Sequence, residues 1–284
     1  MRAVATRDLP TGAVTPEDIV ESDYVAALLE DAIRELDTRE RRCVAAIGLP
    51  AASLRTLRLP RMTAFERYRT AHFEAMRYID YPIDEAIVRI RQVGEESGLC
   101  AFGIVRAHSL KARTNCLRKA GLRPQVIDDE GCALRRAFPD YDGILDVGHF
   151  RATFYLNNSF EAFQTRMGGA DITAGIESDL SLDESTAEKR KRILGTAGAG
   201  ERVRAELMAV LGSLINSASA VSSVRRVAVV GNGARLPGLI ADLAIASSVD
   251  CELAVSRLLN SETYTNDVIS SSAADWTLAA ALAR

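Results

Sequence analysis

Two glycine-bearing loops late in the chain, each following a short β-branched strand, constrain the fold more than any other feature. The first is Ile144-Leu145-Asp146-Val147-Gly148, which runs through His149-Phe150 into the apolar stretch Ala152 to Leu156. The second runs Val227-Ala228-Val229-Val230-Gly231-Asn232-Gly233-Ala234-Arg235-Leu236-Pro237-Gly238. Between them lies Met167-Gly168-Gly169-Ala170-Asp171-Ile172-Thr173. Short apolar β-branched runs bounded by glycine read as buried strands, and glycine lets a backbone turn tightly or approach a ligand closely. An acidic residue at a strand end suits a hydrated Mg²⁺, and strand-end glycines suit a phosphate or a nucleoside. Each loop alone is weak evidence; their order and spacing are the specific signal.

The chain around them divides into segments with clear punctuation. Residues 23–37 read as an amphipathic helix capped by Ser22. Residues 43–49 read as a buried strand and 54–59 as an alternating one, closed by Pro50 and Pro60. Thr63 and Glu66 form a capping box for a helix carrying Phe65, Tyr68, Phe73, Met76 and Ile79, whose simplest role is a core helix. Residues 86–93 and 100–107 read as strands around a turn at 94–98. Ser109 is placed to cap a helix ending at Ala120, with Gly121 as the left-handed residue after it. A strand at 125–127 and a short helix at 128–138 follow.

Strands at 142–148, 151–156 and 160–165 then feed a helix that starts near Asp171. Helices at 181–194 and 201–220 flank a break at 195–200, the first with a capping box at Ser181 and Glu184. A strand at 226–230, a helix at 237–246 with Pro237 at its first position, a strand at 251–256 and a helix at 272–283 complete an α/β unit.

Composition narrows the setting. The 284 residues suffice for one or two domains, and a formal net charge of −3 gives no bulk attraction to nucleic acid or anionic lipid. The basic stretches 39–42 and 189–192 are short or interrupted by acids, so no nucleic-acid partner is expected. No apolar run reaches the ~20 residues that span a bilayer, and charges at Arg7 and Asp8 break any signal-peptide core. Five scattered cysteines without a CxxC pair read as reduced thiols. His72, His108 and His149 form no ligand pattern, and His149 reads as a partly buried hairpin residue.

Taken in order, the three loops resemble the actin-like ATPase superfamily, and within it the type IV pilus assembly protein PilM family, related to FtsA. Ile47-Gly48-Leu49-Pro50, Leu57-Arg58-Leu59-Pro60, Tyr81-Pro82-Ile83-Asp84 and Ala120-Gly121-Leu122 occur in the order found in that family, so the resemblance covers nearly the whole chain. It implies an α/β, ribonuclease H-like actin fold. Residues 1–40 and 126–140 would be what is present of the first lobe, 41–125 a small inserted α+β subdomain, and 141–284 the second lobe.

The resemblance also implies the site. Asp146, Gly148 and Thr153 would be the second phosphate loop, with Asp146 holding Mg²⁺ through water. Gly168 and Gly169 would open the next helix near phosphate or ribose. Ala187-Glu188-Lys189 resembles in part a family Ala-Glu-x-x-Lys segment, which would bring Glu188 and Lys189 to the nucleoside. Gly231, Gly233, Ala234 and Arg235 would form the adenosine loop. ATP or ADP with Mg²⁺ is the implied cofactor.

The implied partners are the cytoplasmic tail of a PilN-like inner-membrane protein, other platform proteins of pilus assembly and, in a homo-oligomer, further copies of the chain. The setting would be the cytoplasmic face of the inner membrane, reached through those partners. One departure stands out. Relatives open on an Asp-x-Gly hairpin, the first phosphate loop, and residues 4–14 resemble the segment after it. Either the true start lies upstream or half of the phosphate cradle is absent, which leaves hydrolysis in question. An active ATPase, an FtsA-like division protein and a small-molecule kinase of the same fold remain the rival readings.

Overall fold

The computed structural model describes residues 3–93, 98–254 and 277–282. The expected turn at 94–98, the end of the strand at 251–256 and half of the helix at 272–283 lie wholly or partly outside those residues. The chain forms two compact units, one of residues 2–132 with 159–161, the other of residues 133–158 with 162–284.

The first unit opens with α1 (Ser22–Glu35), β1 (Arg42–Ile47) and β2 (Ala52–Arg58). Next come α2 (Ala64–Ala75), β3 (Ala86–Gln92), β4 (Leu99–Arg106), α3 (Ala107–Lys119) and β5 (Arg123–Asp129). β1 and β5 pair in parallel, from Arg42 opposite Arg123 to Ile47 opposite Asp129. Around α1 and α3, Val25, Ala26, Cys116 and Ala120 form a small core. β2, β4 and β3 make a separate antiparallel sheet in that order. Val88, Phe102 and Ile104 on one face of that sheet pack with Ala71 and Ala75 of α2.

Several expectations are corrected here. Ser22 is the first helical residue and not the cap, which is Glu21 without a side-chain bond. Ser109 sits buried inside the first turn of α3, and Arg106 takes the cap position. β1 is mostly accessible, with only Ile47 buried, because only β5 pairs with it among the described residues. The Thr63–Glu66 capping box is present, with both reciprocal bonds formed. Its helix, however, buries two alanines and leaves the aromatics outside: Phe65 is 69% and Phe73 66% exposed.

The second unit begins in α4 (Glu130–Ala137), where the chain passes from one unit to the other. Three strands follow, β6 (Gly143–Val147), β7 (Ala152–Leu156) and β8 (Ala162–Gln164). Three helices come next, α5 (Gly169–Leu180), α6 (Glu184–Leu194) and α7 (Glu201–Val221). β9 (Arg226–Val230), α8 (Leu239–Ser247), β10 (Asp250–Leu253) and a helical segment, Thr277–Leu282, complete it.

Its sheet runs β10-β9-β6-β7-β8. β10, β9 and β6 are parallel; β6, β7 and β8 are antiparallel. Helices cover both faces. Leu145, Val147 and Phe154 meet Ile172, Leu207, Leu211, Ile215 and Leu243 on one side. Ile144, Tyr155, Ala228 and Val230 meet Leu134, Phe138 and Ala281 on the other. Burial on both faces is why β7 and β9 read as continuous apolar runs and not as alternating ones.

Two more caps differ from expectation. Ser181 ends α5 in a left-handed conformation, and Asp183 caps α6 by accepting from the Thr186 amide. Pro237 lies outside α8, whose cap is Gly238. Among the described residues, no helix is long and apolar enough to cross a membrane.

Candidate functional site

The three loops converge at one end of the five-stranded sheet. Asp146 is the next-to-last residue of β6 and lies directly opposite Thr153 on β7 and Val230 on β9. The hairpin beyond it is closed by the Gly148 amide donating to the Arg151 carbonyl at 2.9 Å. α5 docks its N-terminus on this hairpin. The Gly169 amide donates to the Gly148 carbonyl at 3.0 Å and the Ala170 amide to the His149 carbonyl at 2.8 Å. The Gly168 amide donates to Asp171 Oδ2 at 2.8 Å.

These bonds explain the first of the two glycines. A Cβ on Gly168 would lie 2.5 Å from the His149 carbonyl oxygen and 2.6 Å from the Arg151 nitrogen. Three amides at the start of α5, which in isolation suit an anion, therefore serve protein acceptors. His149 is exposed, not partly buried, and its ring stands edge-on to Phe150 at 4.5 Å.

The second glycine loop packs against the first. Gly231 adopts φ +86°, and a Cβ there would fall 2.3 Å from Asp146 Oδ1 and 2.7 Å from the Val147 carbonyl oxygen. A Cβ on Gly233 would fall 2.5 Å from Val147 Cγ1. Close approach of β6 and β9 thus requires both glycines. Asn232–Arg235 forms a 3₁₀ turn that buries the Ala234 side chain in the core and leaves Asn232 and Arg235 exposed. It is the backbone of this loop, and not the Ala234 methyl, that reaches the surface.

Asp146 is half-buried. Among the described residues, no donor or cation reaches its carboxylate, and desolvation pushes its pKa up to about 6. Nearby, Thr153 is buried and its hydroxyl accepts from Gln164 Nε2 at 3.3 Å.

A second carboxylate in the same unit is treated in the opposite way. Glu188 Oε2 accepts from the Thr173 hydroxyl at 2.7 Å and pairs with Lys191 Nζ at 2.6 Å; Oε1 accepts from Arg192 Nε at 3.0 Å. Burial alone would raise its pKa, but the bonds to Lys191 and Thr173 outweigh that and lower it to about 2. Lys191 also donates to the Gly169 carbonyl at 2.8 Å, which ties α6 to the start of α5.

Lys189, singled out from the sequence, points to solvent; the lysine in this network is Lys191, which the sequence reading missed. The signal was present. Positions i and i+3 share a helix face whereas i and i+1 do not, and Ala187-Glu188-Lys189-Arg190-Lys191 completes the Ala-Glu-x-x-Lys spacing.

The arrangement fits a hydrated cation better than a caged one. Among the described residues, no group of three or more His, Cys, Asp or Glu side chains gathers to hold a metal. A lone, poorly solvated carboxylate at a strand end suits Mg²⁺ held through its waters and a phosphate, the usual way Mg²⁺ is bound.

Comparison with known proteins gives consistent results. The family model described as type IV pilus assembly protein PilM matches residues 1–283. Among solved structures, a PilM-PilN type IV pilus biogenesis complex is similar with a TM-score of 0.85 and 24% identity, over 99% of this chain and 90% of that one. The ethanolamine utilization protein EutJ from Carboxydothermus hydrogenoformans is similar with a TM-score of 0.62 and 12% identity, over 95% of this chain and 77% of that one. A MamK double helical filament is similar with a TM-score of 0.50 and 11% identity, over 85% of this chain and 74% of that one. No curated protein matches the chain. At these identities the structural likenesses establish the fold, which is the α/β actin-like one expected from the sequence.

Proposed function

The chain belongs to the type IV pilus assembly protein PilM family, and from that premise we propose that it is a nucleotide-responsive scaffold of pilus assembly that docks the tail of a PilN-like protein. The scaffold would work in the cytoplasm, against the inner face of the membrane, and would reach the membrane protein through that tail. The division into a first-lobe remainder (1–40 and 126–140), an inserted subdomain (41–125) and a second lobe (141–284) belongs to the same proposal, as do contacts to other platform proteins and to further copies of the chain.

The observation that carries the nucleotide half of this reading is the orphaned Asp146 carboxylate at the junction of the two glycine loops. In this reading, Asp146 holds the waters of Mg²⁺, while Gly148 and Thr153 face the phosphates. Gly231 and Gly233 offer backbone to the nucleoside, with Ala234 supporting the turn from beneath and Arg235 at its outer side. Gly168 and Gly169, the latter tied to Glu188 by Lys191, hold α5 against the phosphate hairpin; Lys189 stands at the margin. Bound Mg·ATP supplies a charge for Asp146 to meet. Nucleotide acts as a conformational ligand, favouring whichever state it binds more tightly. The proposal includes no hydrolytic step.

The docking half is supported by an open groove of about 630 Å³ in the first unit. Ile87, Leu110, Val126 and Ile127 give it an apolar lining, and Lys111 and Arg118 a basic one. β5 borders it, and among the described residues β5 pairs only with β1. A strand paired with one neighbour among the described residues, beside apolar side chains, suits an extended peptide added as a further strand.

The test is a calorimetric titration of the chain with Mg·ATP, beside Asp146→Ala, and with a synthetic peptide of the tail. Micromolar nucleotide binding that is lost in Asp146→Ala supports the site; undiminished binding in the variant refutes it. Tail binding that survives Val126→Asp refutes the groove.

A further inference from the structure

The exposed stripe of α2 suggests an activity outside the tail-docking reading. Phe65, Arg69 and Phe73 follow one another at i, i+4 and i+8, with Tyr68 and Met76 beside them, on a helix whose core contact is made by Ala71 and Ala75. Phe65 is 69%, Phe73 66%, Met76 47% and Tyr68 44% exposed. Burying this much apolar surface is worth enough that a helix seldom leaves it in water without a use.

The charge around the stripe is biased as well. Residues 58–78 hold five arginines and two glutamates. Both glutamates are occupied within the chain: Glu66 closes the capping box on Thr63, and Glu74 pairs with Arg77 at 3.2 Å. The Arg69 guanidinium sits 5.9 Å from the Phe65 ring centre. Over residues 41–125 the same bias holds, with 16 Lys and Arg against 7 Asp and Glu, although the whole chain has a net charge of −3. The bulk charge therefore conceals a basic region carrying an aromatic stripe.

We propose that the α2 face binds directly to the surface of an anionic phospholipid bilayer. Phe65, Phe73 and Met76 enter the boundary between headgroups and acyl chains, and Arg69 with its neighbouring arginines meets lipid phosphate. An amphipathic helix with aromatic and apolar residues on one face and arginine beside them is built for that depth. Attraction of basic residues to an anionic leaflet adds to the apolar term and decays within a Debye length. The aromatics project outward from a single helix, which favours a deformable planar surface over a peptide. This contact would add a second anchor to one made through a partner tail, and two weak anchors hold a protein at a membrane far better than either alone.

The test is flotation of the full chain with vesicles of phosphatidylcholine alone and of phosphatidylcholine mixed with phosphatidylglycerol, without any partner tail. The expected result is co-flotation with the mixed vesicles only, weakened as salt is raised. Phe65→Ser combined with Phe73→Ser is expected to lower the partition coefficient at least tenfold, and Arg69→Gln about fivefold. Both substitutions sit on exposed positions, so thermal melts are expected to match the parent. Absence of flotation, or flotation unchanged by the Phe pair, overturns the proposal. Concentration-dependent self-association in sedimentation velocity that disappears with the Phe pair, in a chain that does not float, also overturns it and assigns the face to a second copy. Binding of the tail peptide is read separately in the same variants, so loss of one activity does not disguise loss of the other.

Discussion

Asp146 and Glu188 are both half-buried carboxylates of the unit built on the five-stranded sheet, and their surroundings treat them in opposite ways. Glu188 receives Lys191, Thr173 and Arg192 and is held near a pKa of about 2. No donor among the described residues reaches Asp146, whose pKa rises to about 6. Burial raises the pKa of both, so donors decide the sign. A carboxylate that the fold surrounds with donors belongs to the fold's own structure. One that the fold desolvates and leaves unmatched is available to something brought from outside. The contrast separates the part of the site that maintains architecture from the part available for binding, and substitutions on each side test it.

The largest effect is expected from Lys191→Met. It removes the cation from Glu188 and the donor from the Gly169 carbonyl, and leaves a half-buried carboxylate with fewer partners. Breaking such a pair from one side costs about 3 kcal/mol, measured by thermal or urea unfolding. The pH signature is specific. Because the pKa of Glu188 lies below its ordinary 4.5, its contribution is present above pH 4.5 and is lost as pH falls toward about 2. The variant is expected to lose that acid-side slope. An unchanged midpoint and slope would mean that Glu188 is not structural, and the comparison would collapse.

Gly168→Ala should come next. Its φ of −155° is extended backbone open to any residue, so conformation is not the obstacle. The methyl would meet three backbone groups of residues 149–151, all within 2.8 Å, and backbone does not yield as a side-chain tip does. A loss of roughly 2–3 kcal/mol is expected from overpacking, with nucleotide affinity falling in parallel because the hairpin carrying Gly148 is displaced. Normal stability in this variant would show that α5 can dock without the close approach.

Asp146→Asn is the prediction with the opposite sign. With a folded pKa raised from 3.8 to about 6, the favourable contribution of Asp146 is complete below pH 3.8 and is lost as pH rises through about 6. Above that the unmatched charge costs stability, about 2 kcal/mol after discounting the full shift for the part of the residue that water still reaches. Removing the charge should therefore raise the melting temperature of the nucleotide-free chain at pH 7.5, leave it nearly unchanged at pH 4, and abolish the response to Mg·ATP. A variant that is both more stable and unable to bind is the mark of a residue retained for a ligand. Destabilisation at pH 7.5 would mean that Asp146 has a structural partner after all.

Much of the architecture could be read from the residues, for identifiable reasons. The runs at 144–147, 152–156 and 227–230 are buried on both faces and so carry no polar interruption, which leaves little ambiguity. The Thr63–Glu66 box and the left-handed Gly121 combine two local requirements each, and both stand. Single serines were poorer guides. Ser22, Ser109 and Ser181 each lie close to a helix end, and none is the side-chain cap expected, because one hydroxyl says little about which of several adjacent positions turns non-helical.

The α2 aromatics show a deeper limit. Phe65, Tyr68, Phe73 and Met76 have the spacing of a core face, and so do Ala71 and Ala75; periodicity finds both stripes without saying which one meets the sheet. In the candidate site, Asp146, Gly148 and Gly231 could be singled out because each lies at or just past a strand end, whereas Gly168 and Gly169 open a helix. The lysine beside Glu188 was legible too, but only through the helical i, i+3 spacing that joins Glu188 to Lys191 and not through the residue that comes next.

The smallest expected effect is the sharpest check on how the Glu188 side of the comparison is divided. Arg192 and Lys191 both bond to this one carboxylate, at 3.0 and 2.6 Å, yet the Arg192 side chain is 66% exposed and that of Lys191 only 12%. An ion pair reaching into water competes with solvation, side-chain entropy and salt, and is worth at most about 0.5 kcal/mol. Arg192→Ala should therefore shift the unfolding midpoint barely beyond error, where Lys191→Met shifts it severalfold more, and added salt should erase even that residue of effect. A double-mutant cycle between Arg192→Ala and Glu188→Gln is expected to give a coupling near zero, whereas the Lys191–Glu188 cycle gives a large one. Comparable couplings would mean that the carboxylate is held by a shared charge cloud and not by the buried lysine. The low pKa of Glu188 would then be a surface property, with no structural counterpart to the unmatched Asp146.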